Sequence, residues 1–422
     1  MMNEAITLDI IQDHGIMIYT LLGVIGSLIV WKIVSGYLQD LERRSARYPV
    51  IMGIASGNPE YKCTQEEALA YAEKAKNIES VRGILGRIYE NSKIGSRYFC
   101  IPDFTPAQGE ASGESKFFGE EGRFEVPIEK RLAMFKRKAI PLVSEVCEKA
   151  ISSSGVDVKD IEKLIVVSST GFIGPGLDCE LIKRLGLRKS ADRSLIGFMG
   201  CAAAMNGFRV AMDYVRCHPG KHALVVCVEL SSVHTTFEDN INDAILHAIF
   251  GDGCAAAVIG SMRVDEMPAG TLAIVDDAAL LMEGTEDGIT LSVNENGISC
   301  TLSKYLPTYI SKNIGSYVDG WLSRHGLEKK DVDFWGVHPG GRRIIEEARN
   351  GLGLRDDQVS KSWDILREYG NMLSPSVMFI LERILLEQKE MVGRGEEGHK
   401  TGLAFSFSPG VGVEGIMLRQ VC

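Results

Sequence analysis

The sequence predicts an α/β protein made of two related halves behind an N-terminal membrane-spanning helix. Three observations lead there. From about residue 127 helices alternate with short apolar strands, the pattern of layered α/β folds. One ordered series of landmarks recurs at an offset near 170 residues. Near the start, Gly15 to Trp31 runs 17 residues without a charge, close to the length of a bilayer span.

Taking the chain in order, Lys32 interrupts the charge-free stretch and Ile33 to Leu38 continues it. With Lys32 snorkelling, residues 15–38 are long enough to cross a bilayer. Glu4, Asp9 and Asp13 precede the stretch and no clear small-residue cleavage site follows, which favours an anchor over a signal peptide. A buried helix is the other reading. Arg43, Arg44 and Arg47 come next, so the positive-inside rule places the C-terminal body in the cytoplasm. Residues 1–47 thus read as membrane anchor and linker, 48–271 as a first α/β half and 272–422 as a second. Pro49 to Gly57 reads as a strand and turn, 65–92 as helical, and the Gly- and Glu-rich 103–123 as a surface loop.

The repeat carries most of the argument. Gly155-Val-Asp-Val-Lys-Asp160 leads into a strand at 163–168, and Gly326-Leu-Glu-Lys-Lys-Asp331 leads into one at 333–337. Each strand enters a Gly/Pro turn, then a helix, then the same tripeptide, Leu185-Gly186-Leu187 and Leu352-Gly353-Leu354. Gly200-Cys201 then precedes an apolar helix, and Gly370-Asn371 precedes another. Strands at 222–228 and 402–407 close the series. Two halves packed face to face would bring Cys201 and Asn371 to equivalent helix N-termini.

Composition bounds the function. The chain has 422 residues, of which 45% are hydrophobic, enough for a sizeable core. A net charge of −10 argues against a nucleic-acid surface. The ten cysteines form no CxxC pair and no metal-like Cys/His spacing. They fit buried or catalytic thiols in a reducing compartment. No P-loop and no strand-linked GxGxxG is present.

Three polar positions stand out. Cys201 opens a helix, and reads either as a packed core thiol or as a nucleophile whose pKa the helix N-terminus lowers. His338 ends a strand in GVHPGG, and Asn371 opens the matching helix in YGNMLSPS. Singly, these are a structural histidine and an N-cap. Placed together by the repeat, they form a Cys/His nucleophile pair with a neutral donor. His338 can hold the thiolate as an ion pair, and His338 and Asn371 can donate to an oxyanion.

The stretches GFMGCAAAMNGFR, VVCVELSSVH, AIFGDGCAAAVIG, GVHPGG, YGNMLSPSVMFILER and FSFSPGVGVEG resemble the type III polyketide synthases, the chalcone synthase-like branch of the thiolase superfamily. The resemblance runs from about Pro49 to the C-terminus. It implies a thiolase-like αβαβα fold and a homodimer. It implies acyl-CoA and malonyl-CoA as substrates, with no metal and no redox cofactor. Cys201 becomes the acylated nucleophile, and His338 and Asn371 the supports of malonyl decarboxylation and condensation. Phe250 matches the gatekeeping phenylalanine between CoA tunnel and cavity. Phe407 and Pro409 lie in the family's GFGPG-like loop, where Ser406 and Ser408 replace two glycines.

For the CoA phosphates the resemblance points to Arg87, with Lys93 or Arg343 compensating where Ile84 and Asn91 stand at basic positions of the family. The same charges also read as solvated helix residues. In the pocket, Cys300 aligns with the second gatekeeper phenylalanine, which frees volume, and Ser169, Thr170 and His234 map nearby. These variants resemble the microbial synthases that take fatty acyl starters and make alkylpyrones or alkylresorcinols. Two other readings remain: a membrane-bound β-ketoacyl-CoA synthase performing one condensation, and a non-catalytic scaffold on a degenerate fold.

Overall fold

The computed structural model describes residues 46–421, apart from 77, 119–124 and 237, together with positions 31, 32, 34 and 35. The chain begins with β1 (Arg47–Gly57), β2 (Tyr61–Thr64), α1 (Gln65–Ala72), α2 (Leu85–Asn91), β3 (Ser96–Phe99), α3 (Pro106–Ser112) and the long α4 (Ile128–Ser154). It continues through β4 (Ile161–Val167), α5 (Leu177–Arg184), β5 (Asp192–Ile196), α6 (Ala203–Cys217), β6 (His222–Glu229), α7 (Ile241–Ile249), β7 (Gly253–Arg263) and β8 (Leu272–Leu281). A hairpin of β9 (Ile289–Asn294) and β10 (Gly297–Leu302) leads to α8 (Leu306–Ser323) and β11 (Phe334–Val337). The end comprises α9 (Arg342–Leu352), α10 (Ser360–Tyr369), α11 (Ser374–Gly393), β12 (Thr401–Ser408) and β13 (Gly412–Gln420).

Among the described residues nine strands share one hydrogen-bonded order, β11-β12-β13-β8-β1-β7-β6-β4-β5. The order is mirrored about its middle. β4 and β6 are parallel and β6 and β7 antiparallel; β11 and β12 are parallel and β12 and β13 antiparallel. The mirror halves meet where β1 and β8 pair antiparallel at Val50 and Ala273. Parallel pairs need long crossovers, and each half supplies one made of helices.

Those crossovers make the central layer. Ala203, Ala204, Met205, Phe208, Ala211 and Met212 of α6 share one buried cluster with Val377 to Leu381 of α11 and residues of β4, β6, β7, β12 and β13. Small residues let α6 come close: a Cβ on Gly207 would lie 2.9 Å from Val225 Cγ1. β6 is buried on both faces, hence its unbroken apolar run. Residues of α4, α8 and α9 belong to the other cluster, on the outer faces. The one strand order thus packs its two wings against the α6–α11 pair on one side and against α4, α8 and α9 on the other, as the expected αβαβα arrangement requires.

Three local expectations are corrected. Residues 65–92 form two helices, not one. Side chains take over the backbone groups in between: Arg82 Nη2 donates to Ala75 O at 2.9 Å, and Ser80 N–H donates to the Asp239 carboxylate at 2.9 Å. Of the expected surface loop 103–123, the described part, 103–118, is not a plain loop. The buried Asp103 carboxylate accepts the Phe117 and Phe118 amides at 2.8 Å, and Phe104 and Phe118 are buried. The repeat breaks after the shared Leu-Gly-Leu tripeptides: the first half inserts strand β5 at the sheet edge, the second the amphipathic α10, with Ser362, Ile365 and Leu366 inward.

The membrane span expected at 15–38 lies outside the described residues except at Trp31, Lys32, Val34 and Ser35, which are helical. Among the described residues no helix is long and apolar enough to cross a membrane.

Candidate active site

Cys201 lies in a 3-10 turn, Gly200–Ala202, that runs into α6. Gly200 has φ +57°, and a Cβ there would sit 3.1 Å from Pro409 Cδ. Pro409 therefore braces the backbone just before the thiol, at a position suited to glycine. The Ser406 hydroxyl donates to the Cys201 carbonyl at 2.8 Å. The serine at 406 thus tethers the Cys201 turn to β12.

Asn371 sits three residues before α11. Its Oδ1 accepts the Leu373 amide at 2.8 Å, which turns Nδ2 toward Gly340 O at 3.2 Å and Cys201 Sγ at 3.9 Å. Leu373 (φ +55°) and Phe198 (φ +57°) hold left-handed backbone beside the two helix starts. Non-glycine outliers of this kind concentrate at functional sites.

His338 follows β11, and its amide donates to Phe405 O at 3.0 Å. The side chain is 1% exposed, and neither ring nitrogen has a hydrogen-bond partner among the described residues. Burial pulls its pKa down to about 3, so the imidazole is neutral. Burial also pushes the Cys201 thiol up, with Cys300 adding to the effect and the Asn371 amide opposing it. The resting pair is thiol and neutral imidazole. This corrects the expected lowering of the cysteine's pKa: exclusion of water outweighs the helix terminus.

Cys201, His338, Asn371 and Phe407 line one cavity of about 480 Å³. Ser169, Thr170 and His234 line a second of about 870 Å³. Phe250, Leu291, Cys300 and Leu373 line both and form the wall between them. Leu291 and Cys300 are direct partners across the β9–β10 hairpin. Burial pushes the Cys300 thiol up to about 12. His234 Nε2 donates to Thr170 O at 2.7 Å, and its Nδ1 accepts the Ile298 amide at 3.3 Å. The Ser169 hydroxyl accepts the Gly200 amide at 3.1 Å, which joins the second cavity to the Cys201 turn.

Arg87, Lys93 and Arg343 are exposed and line neither cavity. Arg343 faces Glu347 at 3.8 Å. Its neighbour Arg342 donates to Asn91 Oδ1 at 3.3 Å, which ties the start of α9 to the end of α2, near which Arg87 and Lys93 stand in the chain. Among the described residues no group of three His, Cys, Asp or Glu side chains is placed to hold a metal.

Sequence reasoning missed Glu229. Its buried carboxylate accepts the Ser169 amide at 3.0 Å, the Thr170 hydroxyl at 2.7 Å and the Ser374 hydroxyl at 2.9 Å. Burial nevertheless raises its pKa to about 7. One carboxylate closing the apolar run VVCVE was the available signal.

Comparison with known proteins gives consistent likenesses along the chain. Residues 40–263 match the family model "Chalcone and stilbene synthases, N-terminal domain", and residues 274–422 match its C-terminal counterpart. The alpha-pyrone synthesis polyketide synthase-like Pks18 of Mycobacterium tuberculosis is 39% identical over 371 residues, 87% of this chain and 90% of that protein. The crystal structure of PKS-I from the brown alga Ectocarpus siliculosus is 64% identical, with a TM-score of 0.88 over 89% of this chain and 99% of that one. The C-terminal type III polyketide synthase domain of Steely1 from Dictyostelium is 25% identical, with a TM-score of 0.77 over 89% of this chain and 100% of that one.

Proposed function

Since the chain belongs to the chalcone and stilbene synthase family, the type III polyketide synthases, we propose that it condenses a medium- or long-chain acyl-CoA with malonyl-CoA and cyclises the product to an alkylpyrone or alkylresorcinol. The observation that carries this reading is the shared cavity: Cys201 Sγ lies 3.9 Å from Asn371 Nδ2, and the unpartnered ring of His338 lines the same space.

The chemistry follows from those groups. The Cys201 thiol attacks the starter thioester while neutral His338 takes its proton, and CoA leaves as the thiol. Malonyl-CoA then loses CO2, and the electron pair of the broken C–C bond moves into an enolate. Asn371 Nδ2–H and an N–H of His338 stabilise the enolate oxygen. The enolate carbon attacks the acyl-Cys201 carbonyl, and Cys201 leaves as the thiolate and takes up one proton from solvent, which balances the carboxylate charge lost with CO2. The extended chain remains on CoA and can reload. Every step is redox-neutral, so the proposal includes no metal and no redox cofactor. A dry cavity favours the neutral resting pair and strengthens each hydrogen bond to developing charge.

The wall between the cavities supports the starter assignment. With Cys300 instead of a ring, an acyl tail passes from the Cys201 cavity toward Thr170 and His234. The name of the Mycobacterium relative, alpha-pyrone synthesis, points the same way. Arg87, Lys93 and Arg343 are proposed to hold the CoA phosphates at the rim. Edge strand β5, with Leu195 61% and nearby Phe172 70% exposed, is proposed as the homodimer face. Residues 15–38 are proposed as a single-pass anchor with the body in the cytoplasm.

Incubating the protein with malonyl-CoA and acyl-CoAs of graded length, with mass spectrometry of the products, tests the reading. Cyclised products carrying two or more extensions on long starters are expected. Products with a single extension and no ring would overturn it.

A further inference from the structure

The C-terminal end of α7 must satisfy its last carbonyls inside the protein. Ile249 O accepts the Asn371 amide at 2.8 Å. Ala248 O accepts Gln65 Nε2 at 2.8 Å. His247 O and Phe250 O both accept Arg97 Nη1, at 2.5 and 2.7 Å. Gln65 binds this cation in turn, with Oε1 accepting Arg97 Nε at 3.1 Å, and its amide also reaches Ser92 Oγ at 2.9 Å.

Arg97 is 2% exposed. A buried cation is costly unless compensated. Here the negative end of the α7 dipole supplies the compensation, with the rings of Phe99 and Tyr89 at 5.2 and 6.0 Å. The side chain also fills slots that only glycines leave open. A Cβ on Gly370 would sit 2.8 Å from Arg97 Cγ and Cδ, and one on Gly251 would sit 3.4 Å from Arg97 Cβ. Those glycines flank two residues of the site. Phe250 and Asn371 form an isolated parallel bridge, and Gly251 N–H donates to Asn371 O at 3.0 Å.

We propose that Arg97, braced by Gln65, is a positioning residue that holds the Phe250 wall and the Asn371 amide in one register. Arg97 grips the carbonyl of Phe250, the bridge joins Phe250 to Asn371, and the Asn371 side chain faces Cys201. Gln65 extends the clamp through Ser92 to the end of α2, next to the rim where Lys93 stands. The inference rests on Asn371 being a donor to the reacting thioester. Decarboxylation and condensation depend on that amide, whereas the first loading of Cys201 depends chiefly on the thiol and His338.

The test measures four quantities on the full chain: acylation of Cys201 by intact-protein mass, malonyl-CoA decarboxylation, KM for the starter, and thermal midpoint. Arg97→Met should lower the kcat of decarboxylation and condensation by about 10²-fold, the effect of misplacing a catalytic group by an ångström. Arg97 also lines the second cavity, so loading and KM are read with a short acyl-CoA whose tail ends in the Cys201 cavity, and both should stay within about twofold. Arg97→Lys should recover part of the loss, since an ammonium reaches a carbonyl but lacks the planar fork. An Arg97→Met protein that is folded, even with a lower midpoint, and keeps its decarboxylation kcat would overturn the proposal. If Arg97→Met does not fold, Gln65→Met decides: loss confined to kcat supports the clamp, and unchanged kcat overturns it. Asn371→Ala runs alongside. If it decarboxylates at the wild-type rate, the reading of Asn371 fails and the clamp falls with it. If it is inactive while Arg97→Met is not, the clamp alone fails.

Discussion

At Cys201 a sulfur placed for attack, 3.9 Å from Asn371 Nδ2, lies in surroundings that keep it a thiol. Cys300 lines the same cavity but sits on β10 rather than at a helix start. Cys201→Ala should therefore abolish the acyl-enzyme and all condensation. Peptide mapping that finds acyl label on Cys300, with activity surviving in the variant, would refute this. Glu229 gives a pH prediction. Its folded pKa of about 7 stands above the ordinary 4.5. Between those values the folded protein keeps a proton that the unfolded chain has released, so this group's contribution to stability falls as pH rises through the window. The shift corresponds to a contribution on the order of 3 kcal/mol. The thermal midpoint of wild type minus that of Glu229→Gln should grow as pH falls from 8 to 5, and a flat difference would count against it. The meeting of Cys201, His338 and Asn371 in one cavity was legible because the repeat placed two of them. Glu229 and Arg97 were not, since their partners are backbone groups and side chains up to 153 positions distant.

At the scale of elements, the β9–β10 hairpin and the α7 terminus set the cavity wall. Cys300→Phe adds a ring to that wall. Each methylene excluded from an apolar pocket forgoes about 0.8 kcal/mol, so several excluded together shift chain preference strongly. Long starters should be lost and short ones kept; unchanged use of a long starter would show that Cys300 does not face the tail. Gly370→Ala strikes the junction of α10 with the Asn371 segment. The residue has φ +69°, and a Cβ would meet Ile249 O at 2.7 Å. Strained backbone of this kind costs roughly 1–3 kcal/mol. The variant should melt earlier and condense more slowly than it loads, as thermal melts and acylation mass would report. Helices and strands with steady periodicity were legible in the sequence. The break between α1 and α2 was not, because Arg82 and Asp239 take backbone groups that a local reading assigns to a helix.

At the scale of the molecule, the doubling was legible because duplicated landmarks keep their order even where one half has a strand and the other a helix. Residues 40–422 should fold, stay in solution and condense without the preceding 39, because the family match starts at residue 40 and the layered core lies beyond it; failure of that body to fold would overturn the anchor assignment. Light scattering on it should give a dimer, and monomer alone would refute the β5 face. The division of the site between the halves also bears on synthesis. Cys201 belongs to the first half, and His338 and Asn371 to the second. The imidazole emerges from the ribosome 137 residues after the thiol, an interval on the order of 10–30 s at ordinary elongation rates. A nascent chain thus carries the sulfur for that whole time without the base that would activate it. A CoA ester can therefore meet Cys201 and His338 together only once both segments have folded into one cavity.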